Sequence, residues 1–140
     1  MRFLVDTNVL SELRKHHRGD ANVARWAASQ RRQDLYTSVL VLGEIRLGVE
    51  RARRRDPDKA LVLERWLNAV RQAFEGRILP VDGRVAEEWG RLNAPRTLPV
   101  VDGLLAATAS VHEMVVATRN VGDLVPTGVA VVDPFEAPEG

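Results

Sequence analysis

Residues 100–124, VVDGLLAATASVHEMVVATRNVGDL, decide the fold. A carboxylate, Asp102, opens an apolar run with the character of a helix. The short apolar segment from Met114 to Ala117 then reads as a strand. The polar tripeptide Thr118-Arg119-Asn120 ends that strand, and a second carboxylate, Asp123, follows. Helix, strand and loop in this order put one acid at a helix start and the other just past a strand end. Sites in open α/β sheets collect beyond the carboxyl ends of strands. Two acids at that edge suggest a cation site, which needs further acids from elsewhere in the chain.

The first 50 residues supply them. Arg2 to Val5 reads as a short buried strand with Asp6-Thr7-Asn8 at its end. Val9, Leu10 and Leu13 recur at helical spacing, with Asp6 or Thr7 as N-cap, and a cap alone would account for Asp6. His16 and His17 close this helix. They lack an HExxH spacing and read as a solvated helix end. Asp20 opens a second helix bearing Val23, Trp26 and Ala27 on one face. Leu35-Tyr36-Thr37 is a second strand, and Ser38 caps a helix running from Val39 to about Arg54.

Glu44 lies inside that helix, with Leu40, Val41, Leu47 and Gly48 at the positions that share its face. The expectation is a glutamate on an apolar stripe. Such a group must be paired, protonated or bound to a cation, because burying it alone is costly. Arg51, Arg53, Arg54 and Arg55 form a basic helix end, readable either as a solvated face favoured by the helix dipole or as an RNA contact. Asp56-Pro57-Asp58 restarts a helix that buries Leu63, Trp66, Leu67, Val70 and Phe74, so the two helices make a hairpin.

Residues 78–81 predict a third strand, and Asp82 caps a helix carrying Val85, Ala86, Trp89 and Leu92. Pro95 and Pro99 bracket the loop leading to Asp102. Residues 129–132 predict the last strand, and a short acidic tail from Asp133 is expected to fray. Strands and helices alternate throughout. That pattern predicts a single domain over 1–135 with a central parallel sheet in a three-layer α/β/α arrangement, followed by a tail over 136–140. The hairpin is expected to protrude.

Composition narrows the chemistry. There are no cysteines, which removes disulfides, thiolate zinc sites and Cys nucleophiles. No apolar run is long enough for a signal peptide or membrane span, so a cytoplasmic protein is expected. The net charge of +1 would conceal a basic exterior if the acids cluster. Eighteen of the 20 basic residues are arginine, which suits bidentate phosphate contact and would equally follow from a GC-rich coding sequence. No GxGxxG, GxxxxGK[ST] or GxSxG is present, so nucleotide cradles and a serine elbow are absent.

Asp6, Glu44, Asp102 and Asp123 are the candidate site acids. Several carboxylates at one edge repel each other, and a divalent cation relieves the repulsion. Oxygen-only ligands favour Mg²⁺ or Mn²⁺ over zinc. Such a cation activates water for attack on phosphorus.

Four segments then resemble a known family. They are Val5-Asp6-Thr7-Asn8-Val9-Leu10-Ser11-Glu12-Leu13, residues 38–44, Val101-Asp102-Gly103-Leu104-Leu105-Ala106-Ala107-Thr108-Ala109, and Thr118-Arg119-Asn120-Val121-Gly122-Asp123-Leu124. In this order they resemble the PIN-domain ribonucleases, and more narrowly the VapC toxins of toxin–antitoxin pairs, including the FitB-like branch. The likeness extends to the closing Val132-Asp133-Pro134-Phe135. It implies a PIN-like fold, a Mg²⁺-dependent endoribonuclease, and a role for Asp6, Glu44, Asp102 and Asp123 as catalytic metal-binding acids. Thr7 and Thr118 would support water or metal, Asn120 would hold the loop presenting Asp123, and Arg119 would touch RNA phosphate. A homodimer, a cognate VapB-type antitoxin and a tRNA or rRNA substrate are implied as well. Leu124 departs from the phenylalanine common after the last acid. The alternatives are a PIN-type nuclease of RNA processing without an antitoxin, and a non-catalytic PIN-like binding module.

Overall fold

The computed structural model describes residues 1–137; residues 138–140, the end of the expected tail, lie outside the described residues. Five strands form one all-parallel sheet: β1 (Phe3–Val5), β2 (Leu35–Ser38), β3 (Ile78–Leu79), β4 (Val115–Ala117) and β5 (Val131–Val132). Their order across the sheet is β3-β2-β1-β4-β5. Phe3 lies in register with Leu35 on one side and Val115 on the other, so β1 is the centre. All three β1 residues are buried, as expected of a central parallel strand covered on both faces.

The helices between them are α1 (Thr7–Arg14), α2 (Ala21–Ala28), α3 (Val39–Arg53), α4 (Pro57–Ala73), α5 (Gly83–Asn93), α6 (Val100–His112) and the single turn α7 (Val121–Leu124). Each forecast cap is in place. Asp20 accepts from Asn22 N and Val23 N, Ser38 from Leu40 N, Asp56 from Lys59 N and Asp82 from Val85 N, satisfying amides that a helix start otherwise leaves unpaired. Pro57 begins α4, and the α3–α4 hairpin connects β2 to β3, tied by Arg46 to Glu64 at 2.7 Å. The core joins the sheet to α1, α3, α4 and α6 through Leu4, Val5, Val9, Val41, Leu67 and Leu105.

Three expectations are corrected. The third strand stops at Leu79 rather than Val81, because Pro80 has no N–H to give a ladder. The last strand is confined to Val131 and Val132. The segment from Asp133 does not fray at its start: Pro134 is buried, Phe135 packs on the core, and its carbonyl accepts from Asn22 Nδ2 at 2.9 Å. No described helix is long and apolar enough to cross a membrane.

Candidate metal centre

The connections running from β1 to β3 lie on one side of the sheet order and those through β4 and β5 on the other, so the chain changes direction at the β1–β4 pair. The carboxyl ends of those strands carry the site, as a switch point predicts. Asp6 directly follows β1, and its N–H continues the ladder by donating to Ala117 O at 3.0 Å. Thr118 directly follows β4 and likewise donates its N–H to Val132 O at 3.0 Å. Both residues are therefore fixed by backbone pairing before their side chains meet.

Asp6 is only 5% exposed. Its Oδ1 accepts from Thr7 N at 2.7 Å, the capping bond of α1, and its Oδ2 accepts from the Thr118 hydroxyl at 2.8 Å. Asn8 Nδ2 lies 3.4 Å from the same Oδ2 and donates to Thr118 Oγ1 at 3.2 Å. Asn120 N also donates to Thr118 Oγ1, at 3.0 Å. The hydroxyl thus gives one hydrogen bond and accepts two, its full capacity. Asp6 is a helix cap and a buried, clamped carboxylate at once.

The other acids surround it. Ser38 starts α3 at the end of β2, and Glu44 comes within its second turn, where Glu44 Oε1 accepts from the Thr7 hydroxyl at 2.8 Å. Burial of the Glu44 carboxyl pushes its pKa up, the Thr7 bond opposes this, and the charges of Asp6 and Asp102 add to the rise. Asp102 sits in the first turn of α6. Its pKa is also raised, first by desolvation and then by Asp6 and Asp123. Gly103 lets α6 approach α5 closely: a Cβ there would meet Asn93 Nδ2 at 2.9 Å and Trp89 Nε1 at 3.0 Å. Asp123 is exposed on α7, a helical turn where an open loop was expected.

Glu44 requires a correction. It is exposed as a residue, and the core-facing stripe of α3 is Val41, Ile45 and Val49 instead. Leu47, expected to share its burial, is 48% exposed. The helix is apolar on two faces, and periodicity does not say which one meets the core. Asn120 and Arg119 lie in the loop between β4 and α7. Asn120 holds its loop through its backbone N–H, with no side-chain cap on α7. The Arg119 guanidinium lies over the Phe135 ring at 4.4 Å.

Asn8 is the member that sequence reasoning passed over. Besides bracing Asp6 and Thr118, it accepts from Arg119 N at 3.2 Å, so one side chain ties the start of α1 to the loop after β4. Its place two residues after Asp6 was the only signal.

The donor set, four carboxylates and no thiol, fits a hard divalent cation. Asp6 and Asp102 are near enough to raise the proton affinity of Glu44, and Asp6 and Asp123 that of Asp102. Among the described residues, however, no three Asp, Glu, His or Cys groups already close around one point. A concavity of about 570 Å³ lies elsewhere, beside Trp26, Val131 and Pro134. The acids occupy an open edge.

The family profile described as PIN domain matches residues 3–122. The chain belongs to the PIN-domain family. Among PIN proteins it is 34% identical over 137 residues to Toxin FitB of Neisseria gonorrhoeae, an alignment covering 94% of this chain and 97% of that protein. It is 31% identical over 138 residues to VapC ribonuclease Y4jK of Sinorhizobium fredii, covering 95% and 97%. A solved structure of FitAB bound to an IR36 DNA fragment superposes with a TM-score of 0.86 at 35% identity, covering 98% of each chain. The PIN fold expected from the four segments is the fold observed.

Proposed function

We propose that this PIN domain is the ribonuclease toxin of a VapBC-type toxin–antitoxin pair, cleaving structured RNA such as tRNA or rRNA with Mg²⁺, for which Mn²⁺ substitutes. The observation that carries the reading is Asp6: buried, clamped by Thr7, Thr118 and Asn8, and flanked by Glu44 and Asp102, whose proton affinity its charge helps to raise. Asp6, Glu44, Asp102 and Asp123 would hold the ion. When bound, a divalent cation activates water and offsets charge that builds on the phosphate oxygens. The chain's own groups orient that chemistry. Thr118 and Thr7 N fix both oxygens of Asp6 in place, and the Thr7 hydroxyl aims Glu44. Glu44 and Asp123, both exposed, have the freedom to turn inward toward a cation.

The relatives named as a toxin and as a VapC ribonuclease support the activity, and the FitAB complex supports a partner. A cognate antitoxin and a second copy of the chain are the proposed protein partners. Exposed apolar side chains on the hairpin, Leu47, Leu61 and Val62, suit protein contact.

Purified protein incubated with total tRNA tests the reading. Discrete fragments are expected with Mg²⁺, none with EDTA, and none from Asp6→Asn. Cleavage that survives EDTA or Asp6→Asn would overturn the metal assignment. Failure to cleave either tRNA or rRNA would favour a non-catalytic module.

A further inference from the structure

The elbow of the α3–α4 hairpin carries a second charged feature, outside the acids. Arg51, Arg54, Arg55 and Lys59 line a groove of about 730 Å³ together with Gly48 and Asp56. The Asp56 carboxylate is occupied in capping α4 through Lys59 N at 3.2 Å. Among the described residues none of the four cations forms an ion pair. Glu50, the nearest carboxylate on α3, instead pairs with Arg46 at 3.1 Å and Arg53 at 3.3 Å.

Local helix energetics do not account for this cluster. Arg51 and Arg54 stand at the end of α3, where the helix dipole favours cations. Lys59 stands in the first turn of α4, where the dipole disfavours them, and Arg55 adjoins the same positive end. Arg51, Arg54, Arg55 and Lys59 outnumber the acids at the elbow, Asp56 in the groove and Asp58 in the first turn of α4, and the net positive charge makes a site for an anion.

Position selects the anion. Glu44, Gly48 and Arg51 follow each other at the four-three spacing of one stripe of α3, and Arg54 and Arg55 continue past the end of that helix. Along the axis Arg51 stands ~10 Å and Arg54 ~15 Å from Glu44, at about 1.5 Å per residue. Gly48 leaves the stripe between them bare; a Cβ there would meet nothing within 4 Å. A small anion could not reach both the groove and the acids, whereas a polymer charged at each nucleotide could. Guanidinium groups match phosphate bidentately and without regard to sequence.

We propose that this groove is an exosite for RNA phosphates, gripping the substrate several nucleotides from the bond that is cut. The inference rests on the ribonuclease reading for its purpose, but binding can be measured apart from cleavage. Fluorescently labelled tRNA is titrated with the full chain in EDTA, by anisotropy, across a salt series. Arg51→Gln/Arg54→Gln/Arg55→Gln is compared with a control triple of equal charge, Arg18→Gln/Arg32→Gln/Arg84→Gln. All six arginines are exposed, and thermal melts check that both variants fold.

The groove variant is expected to bind tRNA about 10-fold or more weakly at low salt. Its log–log salt slope should flatten by about 2 to 3, each phosphate no longer neutralised accounting for about one unit or slightly less, and the control's by less than about 1. With Mg²⁺, KM for tRNA should rise in the groove variant while cleavage of a short oligonucleotide is unchanged. Equal slopes for the two triples would overturn the exosite and leave general charge attraction. Unchanged tRNA binding with loss of antitoxin binding would overturn it in favour of a protein interface. Absence of Mg²⁺-dependent cleavage by the wild type would remove the nuclease reading alone, because the EDTA slopes would still decide whether the groove holds RNA.

Discussion

Thr118→Val is the sharpest test of how the site is held. Valine matches threonine in shape, so no cavity opens, but the hydroxyl goes. Thr118 is fully buried, and solvent does not reach it to replace the bond. Its hydrogen bond to the Asp6 side chain is of the carboxylate-accepting kind, contributing about 1.5–3 kcal/mol. Asn120 is exposed and its freed N–H can turn to solvent, while Asn8 Nδ2 keeps Asp6 Oδ2 within 3.4 Å. Those two losses add less than another full bond, so the total is about 2–4 kcal/mol. Against a domain stability of about 5–15 kcal/mol this is large. In urea it corresponds to a midpoint lower by about 1–2 M at an m-value near 2 kcal/mol/M. Thr118→Ser keeps the hydroxyl and loses one methyl, about 1 kcal/mol. Urea melts of the three proteins in EDTA should therefore rank wild type above Ser above Val, and Mg²⁺ affinity should follow the same order. A Val variant as stable as the Ser variant, or within about 0.5 kcal/mol of wild type, would refute the clamp.

Three further outcomes follow from the same geometry. Glu44 and Asp102 have raised pKa values, so in the folded chain these two groups hold protons that they release on unfolding, and their contribution to metal-free stability falls as pH rises above about 4. Asp102→Asn should flatten that fall and raise the melting temperature in EDTA at neutral pH while weakening metal binding; a variant no more stable than wild type there would contradict the repulsion. Mg²⁺ added to wild type should raise the melting temperature with concentration, and should do so far less for Asp6→Asn. Gly103→Ala forces a Cβ against Asn93 and Trp89, and calorimetry should show a loss of about 1–3 kcal/mol. A neutral or stabilising result would mean that α5 and α6 have room to separate.

Much of this is legible in local pattern. Caps such as Asp20, Ser38, Asp56 and Asp82 act on amides two or three residues away, so the sequence exposes them directly. The alternation of strands and helices likewise specifies a parallel sheet, and Asp6 and Asp102 fall at a strand end and a helix start as read. What local pattern misses is direction and distance. Because α3 is apolar on two faces, periodicity puts Glu44 on a core stripe, and only tertiary packing decides that Val41, Ile45 and Val49 turn inward. Asn8 acts through Thr118, 110 residues away, and no spacing in one sequence reveals that bond. Pro80 does carry a local signal against the longer third strand, which the apolar run around it masks.

The brace between Asp6 and Thr118 joins residues 112 positions apart. Asp6 is made 112 residues before Thr118 and stays an ordinary helix cap until β4 docks beside β1. A growing chain that has not yet released Thr118 also lacks Asp123, so it carries neither the clamp nor the last acid. On the proposed activity, a nascent or prematurely terminated product is harmless to the RNA around it. The hazard begins only once residues 118–123 have been made and folded against β1, and that is the moment at which an inhibitor must already be present.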